Sequence, residues 1–224
     1  ALNQTYKPIE IICIDNNSND NTYSILSHFE SESKIKVYKC SAKGANYARN
    51  LGIVKSKGSW IQFLDADDVL LPEKIELQVC EILKNTNVDV IFSPYIKRSI
   101  ENIDTIVPCN EIVELGLLST KLGITSSNLF KSSKLKSCGM WDVNQKSSQE
   151  YELMFRMYKN QAIFKNSNYS MTINQARKSG QISTSNLCDN WSRYVDLRLE
   201  IINYLKKAEP SYYLSNELII NQIL

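Results

Sequence analysis

The feature that most constrains the fold of this chain is an apolar strand that ends in carboxylates. Residues 59–71 read SWIQFLDADDVLL, and Asp65, Asp67 and Asp68 follow the apolar run directly. The run lacks a clean polar alternation, which indicates a strand buried on both faces of a sheet. In open α/β sheets, ligands bind at the edge formed by the carboxyl ends of the strands. The sequence therefore predicts a cluster of negative charge at a ligand-binding edge.

Two interpretations of these carboxylates are compatible with the residues alone. Neighbouring carboxylates repel one another unless a cation or hydrogen-bond donors offset their charge. An Asp-X-Asp pair suits a hard divalent ion such as Mg²⁺ or Mn²⁺, which takes oxygen ligands and leaves room for phosphate oxygens. The alternative is a simple strand-to-loop turn in which an Asp caps the next helix, because Pro72-Glu73 is typical of a helix start.

Composition excludes several kinds of chemistry. The 224 residues carry a formal net charge of +2 and no basic run, which argues against a nucleic-acid partner. The six cysteines include no C-x-x-C pair, so a zinc site is not expected. Cys13 and Cys80 lie in apolar runs and are predicted to be small core residues of a reduced, cytosolic protein. A single histidine, His28, and the absence of a glycine-rich phosphate loop leave carboxylates as the reactive groups.

The hydrophobic pattern predicts an α/β fold with a mainly parallel, doubly wound sheet, helices on both of its faces and a C-terminal helical segment. Strand and helix patterns alternate through the first 90 residues. Strands are predicted over 9–15, 35–40, 60–65 and 89–93, and helices over 19–31, 45–55 and 72–84. The second half is less regular: it predicts a hairpin over 97–108, helices over 111–121, 148–159 and 191–207, one or two strands in 163–173, a polar loop over 177–185 and a last helix after Pro210.

Four blocks in a fixed order carry a resemblance to a known family. They are IEIICIDNNSNDNT, ending a strand at Asp15; GANYARNLGIVKSKG, which contains Arg49; the DADD run; and SSQEYELMFRMY, which contains Glu150. Together they resemble the inverting family 2 glycosyltransferases of the GT-A fold over residues 2–160. The resemblance implies a nucleotide-sugar-binding half over 1–93, an acceptor-binding half over 94–185 and a helical extension over 186–224.

The resemblance also implies roles for the residues of the donor half. Asp15 and Asn16 would form the wall of a pocket for the base, and Asp65 would lie near the ribose and diphosphate. Asp67 would ligate Mn²⁺ or Mg²⁺ bridging the diphosphate. Arg49 would orient the carboxylates or a phosphate, with an ordinary ion pair as the alternative.

In the second half, the resemblance makes Glu150 the catalytic base; the alternative is an acid that complements the dipole at a helix start. Trp141 would stack on a sugar or pack in the core. Lys178, which replaces a histidine of the family, would contact phosphate as a point charge. Glu152 and Arg156 have the spacing of an ordinary surface ion pair.

Besides Lys178, the sequence departs from the family pattern at other places. Asn16 stands where the family has a second Asp, and Gln149 replaces the acidic neighbour of the base. The chain also begins within what would be the first helix, so the family's opening strand is absent. We expect from this that the sequence is a fragment of a longer protein.

The predicted function is transfer of a sugar from a nucleotide-diphosphate sugar, most simply a UDP-sugar, to a hydroxyl of a glycan or lipid-linked saccharide, with inversion and assistance from a metal. The alternatives are a catalytically silent binding module and a nucleotidyltransferase. The expected location is the cytoplasm, at the inner face of the membrane. Basic residues in the region 191–207 form either a peripheral membrane contact or a solvated edge of a packing helix; they are Arg193, Arg198, Lys206 and Lys207.

Overall fold

The computed structural model of the chain describes residues 1–31, 35–176 and 187–223. Its strands are β1 Ile12–Asp15, β2 Lys36–Lys39, β3 Trp60–Gln62, β4 Asp68–Leu70, β5 Val90–Phe92, β6 Tyr95–Arg98, β7 Asp104–Val107, β8 Leu129–Lys131, β9 Phe164–Asn166 and β10 Thr172–Gln175. Its helices are α1 Thr22–Ser31, α2 Ala45–Lys55, α3 Lys74–Lys84, α4 Val113–Ser119, α5 Ser132–Ser137, α6 Gln149–Lys159, α7 Leu187–Ala208 and α8 Pro210–Ile223.

The strands form three small sheets, and their pairing is mixed rather than mainly parallel. The strand orders are β1-β2, β4-β10-β6-β7 and β3-β8-β5-β9. Three of the seven pairings among the described residues are parallel and four are antiparallel. β3 and β5 run in the same direction, as the alternating pattern predicted, but β8 lies between them and pairs antiparallel with both. A strand from the second half thus separates two strands that the sequence pattern would make neighbours.

Helix α2 spans the ends of two sheets and so fixes the geometry of the region described below. Its bounds are those that the sequence predicted. One face packs on β1, with Gly52 of the helix close to Ile14. Ile53, which is fully buried, belongs to the same core cluster as Ile61 and Phe63 of the β3 region. The helix therefore joins the β1-β2 sheet to the sheet that contains β3.

The main core continues from α2 into the C-terminal helices. Leu205 of α7 and Ile220 of α8 are fully buried and belong to the same cluster as Phe130 and Phe155. Tyr204 of α7 makes an edge-to-face contact with Phe155, at 5.7 Å between ring centroids. Among the described residues, no helix has both the length and the apolar character needed to cross a bilayer.

Several local predictions need correction. Cys80 is exposed rather than buried in the core, and Cys13 is only partly buried. Arg198 is 2 % exposed, so it does not belong to a solvated basic edge on α7. Its guanidinium lies over the ring of Tyr194, because the preceding turn of the helix brings that ring alongside it. The polar loop predicted over 177–185 lies outside the described residues, and Lys178 lies there too.

Candidate active site

A cavity of about 260 Å³ opens at the carboxyl ends of β1 and β2. Asp15, the last residue of β1, lies in its wall and is 4 % exposed. Its carboxylate accepts a hydrogen bond from the backbone N–H of Ser18 at 3.4 Å. The other lining residues are Asn17, Ser18, Tyr23, Lys39, Cys40 and Ser41. The cavity is therefore polar, with a buried carboxylate in its wall.

Asn16 does not line this cavity, and both ends of its amide are used within the protein. Its Nδ2 donates to the carbonyl of Ala42 at 2.7 Å, and its Oδ1 accepts from the N–H of Gly44 at 2.8 Å. Gly44, at φ 139°, is the residue before α2. The side chain of Asn16 therefore holds the loop that leads into α2, and its contact with a nucleotide base stays a prediction.

The DADD run forms a tight turn that connects the β3 region to β4. The backbone N–H of Asp68 donates to the carbonyl of Asp65 at 3.0 Å, which places Asp67 at the third position of a β-turn. The N–H of Asp65 donates to Ser126 Oγ at 3.0 Å. The carboxylate of Asp68 accepts from Asn174 of β10 at 2.8 Å. The carboxylate of Asp68 is therefore engaged in holding β4 to β10.

Burial raises the pKa of Asp68 above its usual value, although hydrogen bonds from Ser126 and Asn174 act in the opposite direction. The charges of Asp65 and Asp67 add to the increase. This electrostatic coupling indicates that the acidic turn carries a concentration of negative charge, as the sequence predicted. Among the described residues, however, no group of three or more histidine, cysteine or carboxylate side chains is arranged to hold a metal ion by itself.

Arg49 is the central cation of the region. Its Nη2 donates to both oxygens of Asp65, at 3.0 and 3.3 Å. Its Nη1 donates to Asn46 Oδ1 at 3.1 Å and to Gln149 Oε1 at 2.8 Å. The guanidinium also lies over the ring of Trp141, with 4.6 Å between Cζ and the ring centroid. Arg49 thus connects the acidic turn to the first residue of α6.

Trp141 belongs to the core and is not available to stack on a sugar. It is 2 % exposed and makes an edge-to-face contact with Phe63 at 5.2 Å. Its backbone N–H and carbonyl both bond to the side chain of Asn50, at 2.9 and 2.8 Å. The burial of Trp141 therefore favours packing in the core, which was the alternative to a sugar contact, and Arg49 lies over its ring.

Glu150 lies in the first turn of α6, next to Gln149 and half-buried. Burial raises the pKa of Glu150, and the nearby charge of Asp65 adds to the increase, while Arg49 acts to lower it. Tyr95 and Tyr151 are its other titratable neighbours, and the charge of Glu150 helps to raise the pKa of both phenols. The carboxyl group that the sequence predicted as a catalytic base therefore interacts electrostatically with both Arg49 and Asp65.

Arg156 and Glu152 form the predicted pair four residues apart, with 2.5 Å between Nε and Oε1. The pair is not an isolated surface ion pair, since Arg156 also donates to the carbonyls of Cys138 and Met140. The sequence-based interpretation missed this clamp on the turn before Trp141. It also assigned no role to Asn46 or Asn50, although Asn46 lies three residues before Arg49 and four before Asn50, on the adjacent turn of the helix.

Comparison with known proteins identifies the family. The model of glycosyl transferase family 2 matches residues 1–169 of the 224. The chain belongs to glycosyl transferase family 2. The family resemblance of the four sequence blocks is thereby confirmed.

One relative is the Escherichia coli protein WfgD, described as a UDP-Glc:alpha-D-GlcNAc-diphosphoundecaprenol beta-1,3-glucosyltransferase. It is 38 % identical to this family 2 chain over 96 residues, which are 42 % of this chain and 37 % of WfgD. The match thus spans little more than a third of that relative's length. An uncharacterized glycosyltransferase of Rickettsia prowazekii, RP339, is 28 % identical over 218 residues, which cover 93 % of this chain and 67 % of that protein.

A solved structure with the same fold is Staphylococcus aureus TarS, residues 1–349, in complex with UDP-GlcNAc. It superposes with a TM-score of 0.70 at 16 % identity and covers 93 % of this chain and 61 % of TarS 1–349. At this identity the likeness concerns the fold alone. The predicted α/β class and the GT-A fold are confirmed, with the mixed strand pairing described above.

Proposed function

We propose that this chain contributes the donor site and the catalytic base of a glycosyltransferase that moves a sugar from a UDP-sugar to an acceptor hydroxyl with inversion. The observation that carries the proposal is the bridge formed by Arg49, which bonds to Asp65 of the acidic turn and to Gln149 beside Glu150. Arg49 thereby holds Asp65, which is expected near the donor, close to Glu150, which is expected near the acceptor hydroxyl. A sugar bound between them would have its anomeric carbon near both.

The cavity at Asp15 is the proposed binding site of the uracil base of the donor. A buried carboxylate accepts a hydrogen bond from an imide N–H, and uracil presents one. The backbone loop held by Asn16 forms part of the surroundings of this cavity. The UDP-sugars named for WfgD and for the TarS complex support UDP as the first nucleotide to test.

Asp67 is the proposed ligand of a divalent cation. The corner of the turn presents an oxygen donor beside a second carboxylate, and Mg²⁺ or Mn²⁺ commonly takes one or two carboxylates together with substrate phosphates. The donor set therefore fits a metal that is held jointly with the diphosphate, rather than one held by the protein alone. When bound, such an ion would neutralise charge on the departing diphosphate.

Glu150 is the proposed base. Its carboxylate would take the proton of the acceptor hydroxyl, whose oxygen attacks the anomeric carbon from the face opposite the diphosphate. The new C–O bond forms as the bond to the diphosphate breaks, and UDP leaves with the electron pair. The raised pKa of Glu150 is suitable, because a base works best when its pKa lies near the working pH.

The proposed acceptor is a glycan or a lipid-linked saccharide, supported by the diphosphoundecaprenol substrate that the name of WfgD gives. Such an acceptor would place the reaction in the cytoplasm, at the inner face of the membrane. Lys206 and Lys207, both exposed at the end of α7, are the basic residues proposed for a peripheral membrane contact, since Arg198 is buried.

The first experiment is calorimetric titration of UDP into the chain with Mn²⁺, Mg²⁺ or EDTA. GDP is the control for recognition of the nucleotide base. We expect binding that requires a divalent ion and prefers UDP. Asp67→Ala should reduce the affinity at least tenfold, while Asp189→Ala, a change at an exposed acid on α7, should leave it unchanged. Donor turnover is then measured as UDP release from UDP-Glc and UDP-GlcNAc with GlcNAc-diphosphoundecaprenol.

Each outcome decides one part of the proposal. UDP binding that persists in EDTA and in Asp67→Ala would remove the metal assignment. A folded chain that binds no UDP would support the silent-module alternative. Release of pyrophosphate from UTP and a sugar 1-phosphate, with no release of UDP from the UDP-sugars, would indicate a nucleotidyltransferase.

A further inference from the structure

Gln149, which replaces the acidic neighbour of the proposed catalytic base, makes two hydrogen bonds that the family pattern does not predict. Its Oε1 accepts from Arg49 at 2.8 Å, and its Nε2 donates to the carbonyl of Gln145 at 2.9 Å. Both ends of one amide are therefore used, one toward α2 and the other toward the loop before α6. The residue directly follows Ser148 and directly precedes Glu150.

The first residue of α6 has no side-chain cap, although Tyr151 in the same turn is buried and its hydroxyl bonds to Leu122 and Gly123. Ser148, the residue before the helix, has left-handed backbone angles and makes no side-chain capping bond. The backbone N–H of Glu152 donates to the Ser148 carbonyl at 3.0 Å, but this bond lies within the helix itself. The side chain of Gln149 thus ties the first turn to two neighbouring segments, in a place where a helix ordinarily relies on a cap.

A carboxylate does not reproduce these two bonds. An ionised Glu accepts hydrogen bonds but donates none, so it would face the Gln145 carbonyl without a proton to share. It would also compete with Asp65 for the charge of Arg49. The amide, by contrast, satisfies both neighbours and adds no charge beside Glu150.

We infer that Gln149 is a positioning residue for the transfer reaction, whose amide fixes the first turn of α6 and thereby the place of the Glu150 carboxylate. This inference rests on the proposed function. Arg49 keeps Asn46 and the Trp141 ring as partners when Gln149 is lost, so its contact with Asp65 persists. The effect of losing Gln149 therefore falls on the base rather than on donor binding.

The test compares Gln149→Met, which keeps the length and removes both bonds, with Gln149→Glu, which keeps only the acceptor toward Arg49. Gln222→Met on the exposed side of α8 is the matched control. With the UDP-sugar and acceptor that the wild type uses, we expect kcat to fall roughly 10- to 100-fold in Gln149→Met while the donor KM changes less than about twofold. Gln149→Glu should lie between Gln149→Met and the wild type, and the control should match the wild type.

A wild-type kcat in Gln149→Met, or a loss expressed mainly in the donor KM, would overturn the positioning role. A Gln149→Glu variant more active than the wild type would overturn the requirement for an amide. If the wild type itself transfers no sugar, the proposed function fails separately. Hydrogen exchange then decides whether the Gln149 amide fixes the first turn of α6. The amide of Glu152 should exchange faster in Gln149→Met than in the wild type or the control; unchanged exchange would refute the inference.

Discussion

Arg49 illustrates how one side chain acquires its function from its neighbours. The sequence alone left an orienting role and an ordinary ion pair as equal alternatives. In the structure its guanidinium bonds to Asp65, Asn46 and Gln149 and covers Trp141. Arg is suited to this position because its planar group donates in several fixed directions and stacks on an aromatic ring at the same time. A lysine would offer a point charge and lose that geometry.

Glu150 should show opposite effects on activity and on stability. We expect Glu150→Gln to lower kcat by about 10²- to 10⁴-fold, because it removes the base, while UDP affinity is retained. The same change should stabilise the fold at neutral pH, because even partial burial makes an ionised carboxylate costly. The measurements are UDP-release kinetics, UDP titration and urea unfolding of the wild type and the variant.

The pH dependence of that stability difference follows from the raised pKa of Glu150. In the unfolded chain the carboxyl titrates near its ordinary value of 4.5, and in the folded chain it titrates at higher pH. The wild type should therefore match Glu150→Gln below the ordinary value and lose stability relative to it as the pH rises through the folded pKa. Glu217→Gln, at an exposed acid of α8, should show no such divergence. A difference that grows toward acid pH would contradict the prediction.

Short connecting segments decide how the elements meet at the site. A buried cluster of polar residues lies where β5 ends and β8 begins, and there Ser93, Ser127 and Asn128 bond to one another. Gly123 lies against this cluster with φ +77°, a conformation that favours glycine. These hydrogen bonds hold the end of β5 close to the loop that leads into β8. Its geometry depends on a residue without a side chain.

Gly123→Ala should be destabilising for two reasons. A Cβ there would lie 2.5 Å from Asn128 Oδ1, Ser127 Oγ and the Ser93 carbonyl, and the backbone angle is strained for alanine. We expect a loss of about 1–3 kcal/mol in the free energy of unfolding, measured by urea denaturation. Gly52→Ala is the control, since its Cβ would meet Ile14 only at 3.8 Å within a helix. That change should stabilise by about 0.5–1 kcal/mol, and equal effects at the two glycines would refute the argument.

On the scale of the whole molecule, the C-terminal helices share the core of the sheets. Leu205 of α7 is fully buried in the cluster that includes Phe155 of α6. Tyr158 of α6 adds a polar link, since its hydroxyl contacts Glu114 of α4 at 2.7 Å and Glu209 at the end of α7 at 2.6 Å. The division at residues 93 and 185 remains a prediction, but the core described here extends across it.

Leu205→Ala should therefore weaken the whole fold. We expect a loss of about 2–5 kcal/mol in the free energy of unfolding, in a single transition seen by both tryptophan fluorescence and circular dichroism. Leu199→Ala, on the half-exposed side of the same helix, should change stability by less than about 0.5 kcal/mol. Separate transitions for the two probes would show that the C-terminal helices unfold independently.

The sequence by itself determined the family, the α/β class, the bounds of α2 and the position of the acidic turn. These follow from local periodicity and from motif blocks that keep their order along the chain. Helix α5 and strand β4 were not predicted, since each is a short segment whose pairing or packing comes from elsewhere in the chain. Local patterns carry no information about such partners.

Only the tertiary structure decided which strands are neighbours and which polar side chains face one another. It inserted β8 between β3 and β5, buried Trp141 beneath Arg49 and turned Asn16 toward the loop before α2. It also brought Gln149 to Arg49 from a distance of 100 residues along the chain. The physical reason is that burial and hydrogen bonding between distant segments depend on the packing of the entire core, whereas a motif records only what adjacent residues share.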